Sequence, residues 1–289
     1  MDILILGGTR FFGKYTVEQL VTNGYDVTIA TRGISSDNFG NRVQRIIYDR
    51  TSTDSIYENF SGKFYDVIID KIAYSSNDVK RILDTVQCGK YILMSSTAVY
   101  ETLHYNTTET DFTPFNKKLI WCDRADFDYG EVKRQAECAV AQAYNGINSI
   151  FVRYPVVLSK DDYTKRLYFY VEHIMTNQPM YIDNIDCQMS FINSEEAGNF
   201  MAYLVDTDYI GAVNGASDGT VSIREIIEYV EKETGKKAII SENADNAPYN
   251  STPSFSISTL KAKSIGYVFS NINDWIYELL DFYIKQYKQ

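Results

Sequence analysis

Short apolar runs alternate with helical patterns along the first half of the chain. The runs predict five strands: Ile3–Leu6, Val27–Ala30, Arg45–Tyr48, Asp66–Asp70 and Tyr91–Met94. Two of the intervening stretches, Phe12–Thr22 and Asn77–Val86, place their apolar residues on one helical face. Strands that alternate with helices indicate a parallel sheet with helices on both faces.

The second half of the chain has a looser pattern. A long helix is predicted over about residues 131–144, and the strand Ser149–Arg153 follows it. Further on, Ser222–Glu233 begins with a capping box and carries a buried stripe, which predicts a helix. Ile272–Tyr283 has apolar residues at helical spacing and is predicted as one more helix.

These elements predict an α/β protein with a Rossmann-type, doubly wound parallel sheet. We assign residues 1–158 to this dinucleotide-binding part and expect 188–214 to return to it. Residues 159–187 and 215–289 are expected to form a smaller C-terminal part that caps the substrate.

Composition and charge narrow the classes of function. The chain has 289 residues, of which 45% are hydrophobic and 23% charged, as in ordinary globular proteins. Its net charge of -10 would repel a phosphate backbone, so nucleic-acid binding is disfavoured. The four cysteines lack a CxxC spacing and there are only two histidines, so we expect neither a disulfide scaffold nor a metal site.

No apolar run approaches the roughly 18 residues needed to span a membrane. The opening residues MDILILGG are typical of a first strand and lack the basic region of a signal peptide. We therefore expect a cytoplasmic protein without membrane contact.

A glycine-rich stretch lies between the first predicted strand and the first predicted helix. It consists of Gly7, Gly8, Thr9, Arg10, Phe11, Phe12 and Gly13. Glycines at a strand-to-helix turn let the backbone approach a pyrophosphate, whose charge the amides of the helix N-terminus then meet. The stretch predicts a dinucleotide site; a chance glycine turn is the alternative.

The end of the second strand bears on the choice of cofactor. It reads Thr31-Arg32 and lacks the acid that would bind a ribose 2′-hydroxyl, whereas an arginine there accommodates a 2′-phosphate. Arg32 and Arg10 therefore favour NADP over NAD, unless both are simply solvated arginines. After the third strand, Asp49, with Arg50 beside it, is a candidate partner of the adenine amino group; a turn aspartate is the alternative.

The candidate chemistry lies around Tyr129 and Lys133, which share a helical face at a spacing of four. A nearby ammonium group lowers the pKa of a tyrosine, which would make Tyr129 a general acid or base. This spacing alone is a weak signal, but the fifth strand ends in Ser95-Ser96, where ligands meet the carboxyl ends of parallel strands.

With these motifs in order, the chain resembles the extended short-chain dehydrogenases/reductases, the epimerase/dehydratase branch. The resemblance runs along essentially the whole chain. It rests on the glycine-rich opening, Ser95-Ser96-x-x-Val99-Tyr100, Tyr129-x-x-x-Lys133, Arg153-Tyr154-Pro155, Ser190-Phe191-Ile192, Asn214 and Lys263–Tyr267.

The resemblance implies roles for particular residues. Ser96 would orient the reacting oxygen, Tyr129 would move its proton, and Lys133 would hold the nicotinamide ribose. Further cofactor contacts would come from Ala73, Tyr74, Ser95, Tyr154, Pro155 and Val156. It also implies a small-molecule substrate, with nucleotide sugars as candidates, and a homodimer.

Two departures from the family pattern matter. The opening GGTRFFG is more similar to an atypical subgroup that includes chloroplast stem-loop-binding proteins, some of which bind rather than catalyse. Ser96–Tyr100 also lacks the Asp-Glu pair of sugar dehydratases, which favours epimerisation or reduction over dehydration. We expect an NAD(P)-dependent epimerase or reductase; the alternative is a non-catalytic regulatory or RNA-associated protein.

Overall fold

The computed structural model describes residues 1–288, so Gln289, the last residue of the predicted second part, lies outside them. In chain order the strands are β1 Asp2–Leu6, β2 Asp26–Thr31, β3 Gln44–Ile47, β4 Phe64–Asp70, β5 Gln87–Ser96, β6 Asn148–Tyr154, β7 Val156–Leu158, β8 Pro179–Tyr181, β9 Gln188–Met189, β10 Phe191–Asn193, β11 Gly211–Asn214, β12 Val221–Ser222, β13 Ile239–Ile240 and β14 Asp245–Asn246.

The helices are distributed between and after these strands. They are α1 Phe12–Thr22, α2 Thr53–Phe60, α3 Ser76–Leu83, α4 Tyr129–Cys138, α5 Arg166–Thr176, α6 Ser194–Tyr203, α7 Ile223–Thr234, α8 Leu260–Ser264 and α9 Ile276–Lys288. Short 3₁₀ turns and one π-helical turn add to them.

Seven parallel strands form the central sheet, in the order β11-β6-β5-β4-β1-β2-β3. The apolar runs seen in the sequence become its middle: Ile3, Leu4, Ile5 and Leu6 of β1 are fully buried. A separate apolar cluster covers each face of the sheet. The predicted α/β fold with a doubly wound parallel sheet is confirmed.

A third apolar cluster lies outside the sheet. It draws on residues from Leu158 to Met189 and from Ala216 to Ile284, and α5, α7 and α9 pack together within it. Between those stretches, β11 pairs with β6 in the central sheet and α6 packs against α1. The exact boundary between the two parts stays a prediction.

Two predicted helices need correction. The helix predicted over 131–144 is α4 followed by a π-helical turn at Ala139–Ala143. The single helix predicted over Ile272–Tyr283 is wrong, because a 3₁₀ turn at Ile272–Asp274 precedes α9. Trp275 breaks the helix: its backbone is not helical, and its indole N–H donates a hydrogen bond of 3.0 Å to the Ser217 hydroxyl.

Within residues 1–288, no helix combines the length and the apolar character that crossing a membrane requires.

Candidate active site

A cleft of about 880 Å³ opens at the carboxyl ends of the parallel strands. The residues that follow β1, β2, β3 and β4 line it, including Gly7, Arg32, Asp49 and Tyr74. This edge of an open α/β sheet, where the strand order reverses, is where such folds bind ligands.

The glycine-rich loop forms one wall of the cleft. Gly7 and Gly8 have φ angles of 101° and 106°, a backbone region that disfavours side chains, and Phe11 lies there as well with φ 55°. Gly13 lies directly behind the wall, because a Cβ on Gly13 would come within 2.9 Å of the Gly8 Cα. The loop thus turns tightly into α1 and leaves the first turn of that helix open to the cleft.

Basic side chains gather at this cleft even though the whole chain is acidic. Arg10 and Arg32 are exposed there, at the two positions for which the sequence predicted a 2′-phosphate. The cations that line the cleft are Arg10, Arg32, Arg50, Lys71, Arg81 and Arg124, and the carboxylates are Asp49, Asp78 and Asp123. Cations therefore outnumber carboxylates in the cleft, and its local charge suits a ligand with phosphate groups.

Arg50 is not free to bind a cofactor through its terminal nitrogens. Its guanidinium is buried and donates two hydrogen bonds, of 2.9 and 2.6 Å, to the carboxylate of Asp70. The Tyr91 hydroxyl donates to the same carboxylate at 2.7 Å. A buried carboxylate needs charged partners, which explains why Asp70 holds these nitrogens, and the predicted cofactor contact of Arg50 stays a prediction.

Asp49 remains available at the rim of the cleft. It is exposed, and its carboxylate accepts hydrogen bonds of 2.8 and 2.7 Å from the amide and the hydroxyl of Thr51. These hydrogen bonds lower the pKa of Asp49, and the nearby Arg32 lowers it further. Asp49 is therefore ionised at neutral pH.

Tyr129 and Ser96 lie beside the cleft lining rather than within it. Tyr129 is the first residue of α4, whose N-terminus Asp128 caps through a 2.9 Å hydrogen bond from the Glu131 amide. A Cβ on Gly130 would fall 2.6 Å from the carbonyl oxygen of Ala98, so this glycine lets α4 approach the turn that follows Ser96.

The prediction that Lys133 lowers the pKa of Tyr129 is wrong. Desolvation raises the pKa of Tyr129, and a hydrogen bond with Ser96 opposes this rise. Lys133 is buried and donates to the carbonyl oxygens of Ala73 and Met94 at 2.8 and 2.6 Å. Burial lowers the pKa of Lys133 itself to about 8.

The aromatic ring of Tyr74 neighbours both members of the predicted pair. Its centroid lies 5.3 Å from the Lys133 Nζ and 6.0 Å from the centroid of the Tyr129 ring. Lys133 thus holds in place the strand ends that carry Tyr74 and Ser96. Within the described residues it makes no hydrogen bond to Tyr129.

Several predicted cofactor contacts have their side chains elsewhere. The Ser95 hydroxyl donates to the buried carboxylate of Glu137 at 2.5 Å, and the Tyr154 hydroxyl donates to the Ala197 carbonyl at 2.7 Å. Neither side chain lines the cleft. Side chains alternate between the two faces of a strand, and both of these point into the protein interior. Pro155, Val156 and Ala73 also lie outside the lining.

The sequence reasoning missed several residues that line the cleft, and three of them are Lys71, Arg124 and Tyr163. The guanidinium of Arg124 lies 3.8 Å from the centroid of the Tyr74 ring, and Tyr163 meets Phe11 edge-on at 6.1 Å. A signal existed only for Lys71, which directly follows a strand at the carboxyl edge of the sheet.

Comparison with known proteins identifies a relative by sequence. Chloroplast stem-loop binding protein of 41 kDa b from Arabidopsis thaliana is 33% identical over 112 residues, which cover 34% of this chain and 30% of that protein. The chain thus spans less than a third of that relative.

Solved structures extend the similarity to the whole fold. The Bacillus cereus UDP-glucuronic acid 4-epimerase in complex with UDP-glucuronic acid and NAD superposes with a TM-score of 0.73 at 18% identity, covering 99% of this chain and 100% of its own. The Thermus thermophilus UDP-glucose 4-epimerase in complex with NAD gives 0.72 at 16% identity, covering 98% and 99%. These similarities show a shared fold.

The family is established by sequence. The model of the NAD dependent epimerase/dehydratase family matches residues 3–214, which include the glycine-rich loop and the whole central sheet. The chain therefore belongs to the NAD dependent epimerase/dehydratase family.

Proposed function

We propose that this protein binds NADP in the cleft and acts as an epimerase or reductase on a hydroxyl or keto carbon of a small substrate. The observation that carries the proposal is the cation-rich cleft of about 880 Å³ beside a tight glycine loop, with Ser96 and Tyr129 next to it. Nucleotide sugars are the first substrates to test, since the Bacillus cereus neighbour is in complex with one.

The residues present fit a dinucleotide. The glycine loop brings backbone amides and the N-terminus of α1 to the cleft, which suits a pyrophosphate. Arg10 and Arg32 are exposed at the rim without a hydrogen bond from either side chain within residues 1–288, which leaves both free for a 2′-phosphate. The positive charge of the nearby Arg32 lowers the pKa of Asp49. The Asp49 carboxylate would accept a hydrogen bond from the adenine amino group.

In this proposal the bound dinucleotide supplies the hydride chemistry. Because the pKa of Tyr129 is raised, its hydroxyl is protonated at neutral pH and acts first as a proton donor to a carbonyl oxygen. The Ser96 hydroxyl, which is near enough to the phenol to lower the pKa of Tyr129, would hold the same oxygen. Lys133 positions both strand ends through the carbonyl groups of Ala73 and Met94.

A ligand screen by thermal shift tests the binding part of the proposal. Ligands that bind the native state raise its melting temperature by mass action, so NADPH should raise it more than NADH at equal concentration. A panel of nucleotide sugars, each with and without cofactor, then searches for the substrate. Equal or greater stabilisation by NADH would contradict the NADP preference, and no response to either dinucleotide would contradict the proposal itself.

The catalytic part is tested with Tyr129→Phe once a substrate is found. Loss of the hydroxyl should slow turnover by roughly 100-fold to 10,000-fold and leave cofactor affinity intact. Tyr57→Phe is the matched control, because Tyr57 is 65% exposed on α2 away from the cleft lining. Full turnover by Tyr129→Phe would rule out this mechanism.

A second candidate is a regulatory or RNA-associated protein that binds the dinucleotide without turning it over. The relative named as a stem-loop binding protein favours it, as does the absence, within residues 1–288, of a hydrogen bond between Lys133 and Tyr129. The net charge of -10 opposes it. Retention on a polyanion column at low salt, lost as salt increases, would support this candidate.

A further inference from the structure

Lys71 is a buried amine at the floor of the cleft. It is the first residue after β4 and is 8% exposed. Its Nζ lies 4.0 Å from the centroid of the Phe12 ring, and a Cβ built on Gly13 would come within 1.9 Å of it. The amine therefore lies against the first turn of α1, directly behind the glycine-rich loop.

No protein group in the described part of the chain accepts a hydrogen bond from this amine or forms an ion pair with it. The neighbouring carboxylate of Asp70 is already engaged, since it accepts hydrogen bonds from Arg50 and Tyr91 and from the amides of Ile72 and Ala73. Contact with the Phe12 ring offsets only part of the loss of water. Burial lowers the pKa of Lys71 to about 7.

The Nζ of Lys71 is not one of the fully enclosed polar atoms of residues 1–288, so the amine opens to the cleft and its three N–H donors are available to a partner there. Two features of the cleft indicate that this partner is an anion. Cations outnumber carboxylates in its lining, and the Lys71 amine lies against the first turn of α1, where the helix N-terminus favours negative charge. The amine and the helix N-terminus would share one anion.

We propose that Lys71 binds the diphosphate group of the cofactor and supplies the positive charge of that subsite. This assignment rests on the proposed dinucleotide function, and it gives Lys71 a task separate from that of Arg10 and Arg32. Arg10 and Arg32 would bind a 2′-phosphate at the rim of the cleft, whereas Lys71 would bind the diphosphate at its floor.

The test measures binding by isothermal titration calorimetry in the full chain and in Lys71→Met. The ligands are NADPH, inorganic pyrophosphate and adenosine 2′-monophosphate. Lys71→Met should weaken NADPH and pyrophosphate about 10-fold to 100-fold, the usual scale for a lost charge-assisted hydrogen bond. The affinity for adenosine 2′-monophosphate, which lacks a diphosphate, should change less than about 2-fold.

Two further variants sharpen the test. Lys14→Met removes the same charge from a residue on α1, but Lys14 pairs with Asp161 outside the cleft lining. The affinities for NADPH, pyrophosphate and adenosine 2′-monophosphate should therefore stay unchanged. Lys71→Gln keeps a hydrogen-bond donor without the charge and should reproduce the loss. Lys71→Gln also provides the binding test if Lys71→Met does not fold.

The outcomes separate this inference from the proposed function. Wild-type affinity of both Lys71 variants for pyrophosphate and NADPH would overturn the inference and leave the function standing. Binding of pyrophosphate that depends on Lys71, without binding of either dinucleotide, would support the subsite and overturn the function. A wild type that binds none of the phosphate ligands would overturn both.

Discussion

Replacing Lys71 with methionine should make the ligand-free protein more stable. Methionine keeps the unbranched chain that fills the space beside Phe12 and removes the charge from a residue that is only 8% exposed. Most substitutions of a buried residue destabilise a protein, so a gain in stability would mark Lys71 as a residue kept for binding.

The expected size of the gain follows from the pKa of Lys71. Burial lowers that pKa from 10.5 to about 7. Each pKa unit corresponds to about 1.4 kcal/mol, so the charged amine costs the folded state up to roughly 5 kcal/mol. Relaxation and penetrating water soften such penalties in real proteins, and we expect a gain of about 1 to 3 kcal/mol in the free energy of unfolding at pH 6.

The gain should depend on pH in one direction. Between about pH 7 and 10.5 the unfolded chain binds a proton at Lys71 that the folded chain does not, so the stability of the wild type rises with pH. The advantage of Lys71→Met is therefore complete below about pH 7 and shrinks as the pH approaches 10.5. Other titrating groups are common to both proteins and largely cancel in the difference.

Urea denaturation of both proteins at pH 6 and pH 9.5, without ligand, measures this difference. Lys14→Met is the control, since the Lys14 side chain is 42% exposed and the substitution should change stability by less than about 1 kcal/mol. A variant Lys71→Met that is less stable than the wild type at pH 6, or an advantage that grows with pH, would refute the argument.

Three further predictions concern other groups. Arg32→Ala should weaken NADPH by about 10-fold and NADH by less than about 2-fold in titration calorimetry; equal losses would exclude a 2′-phosphate contact. Gly13→Val should abolish dinucleotide binding in the same assay while circular dichroism shows a folded chain, because its side chain would strike the glycine loop. Glu137→Gln should cost about 3 to 5 kcal/mol in urea denaturation, since it leaves the buried Arg153 unpaired. Glu18→Gln, on an exposed pair, should cost less than about 1 kcal/mol, and a similar cost in both would contradict the burial argument.

The fold was predictable because its signals are local. Most of the predicted strands of the central sheet are short apolar runs, and a strand buried on both faces leaves that signature whatever lies around it, whereas β3 at the sheet edge is largely exposed. The capping box of Ser222 and Glu225 formed as predicted, and Gly235 ends α7 in a left-handed conformation. The break at Trp275 was not predicted, and the indole of Trp275 donates a hydrogen bond to Ser217, a contact 58 residues away that no local pattern identifies.

The site was predictable in part for the same reason. The glycine loop and the strand ends line the cleft because chain order alone brings the carboxyl ends of parallel strands to one edge. The direction of each side chain, by contrast, could not be predicted from chain order. Lys133 shares a helical face with Tyr129, yet its amine turns to two backbone carbonyl groups that no sequence pattern identifies.

Buried charges distinguish Arg50 and Lys133 from Lys71, which the sequence reasoning missed. Arg50 and Lys133 each found partners inside the protein, and such partners are usable only once the fold has formed. Lys71 found none, although it is as deeply buried as Arg50. A charged residue that folding leaves unsatisfied at a ligand-binding edge is a better guide to function than one that folding satisfies. By this criterion we expect the cleft to bind an anion, and the net charge of -10 on the whole chain does not oppose this, because cations outnumber carboxylates in the cleft lining.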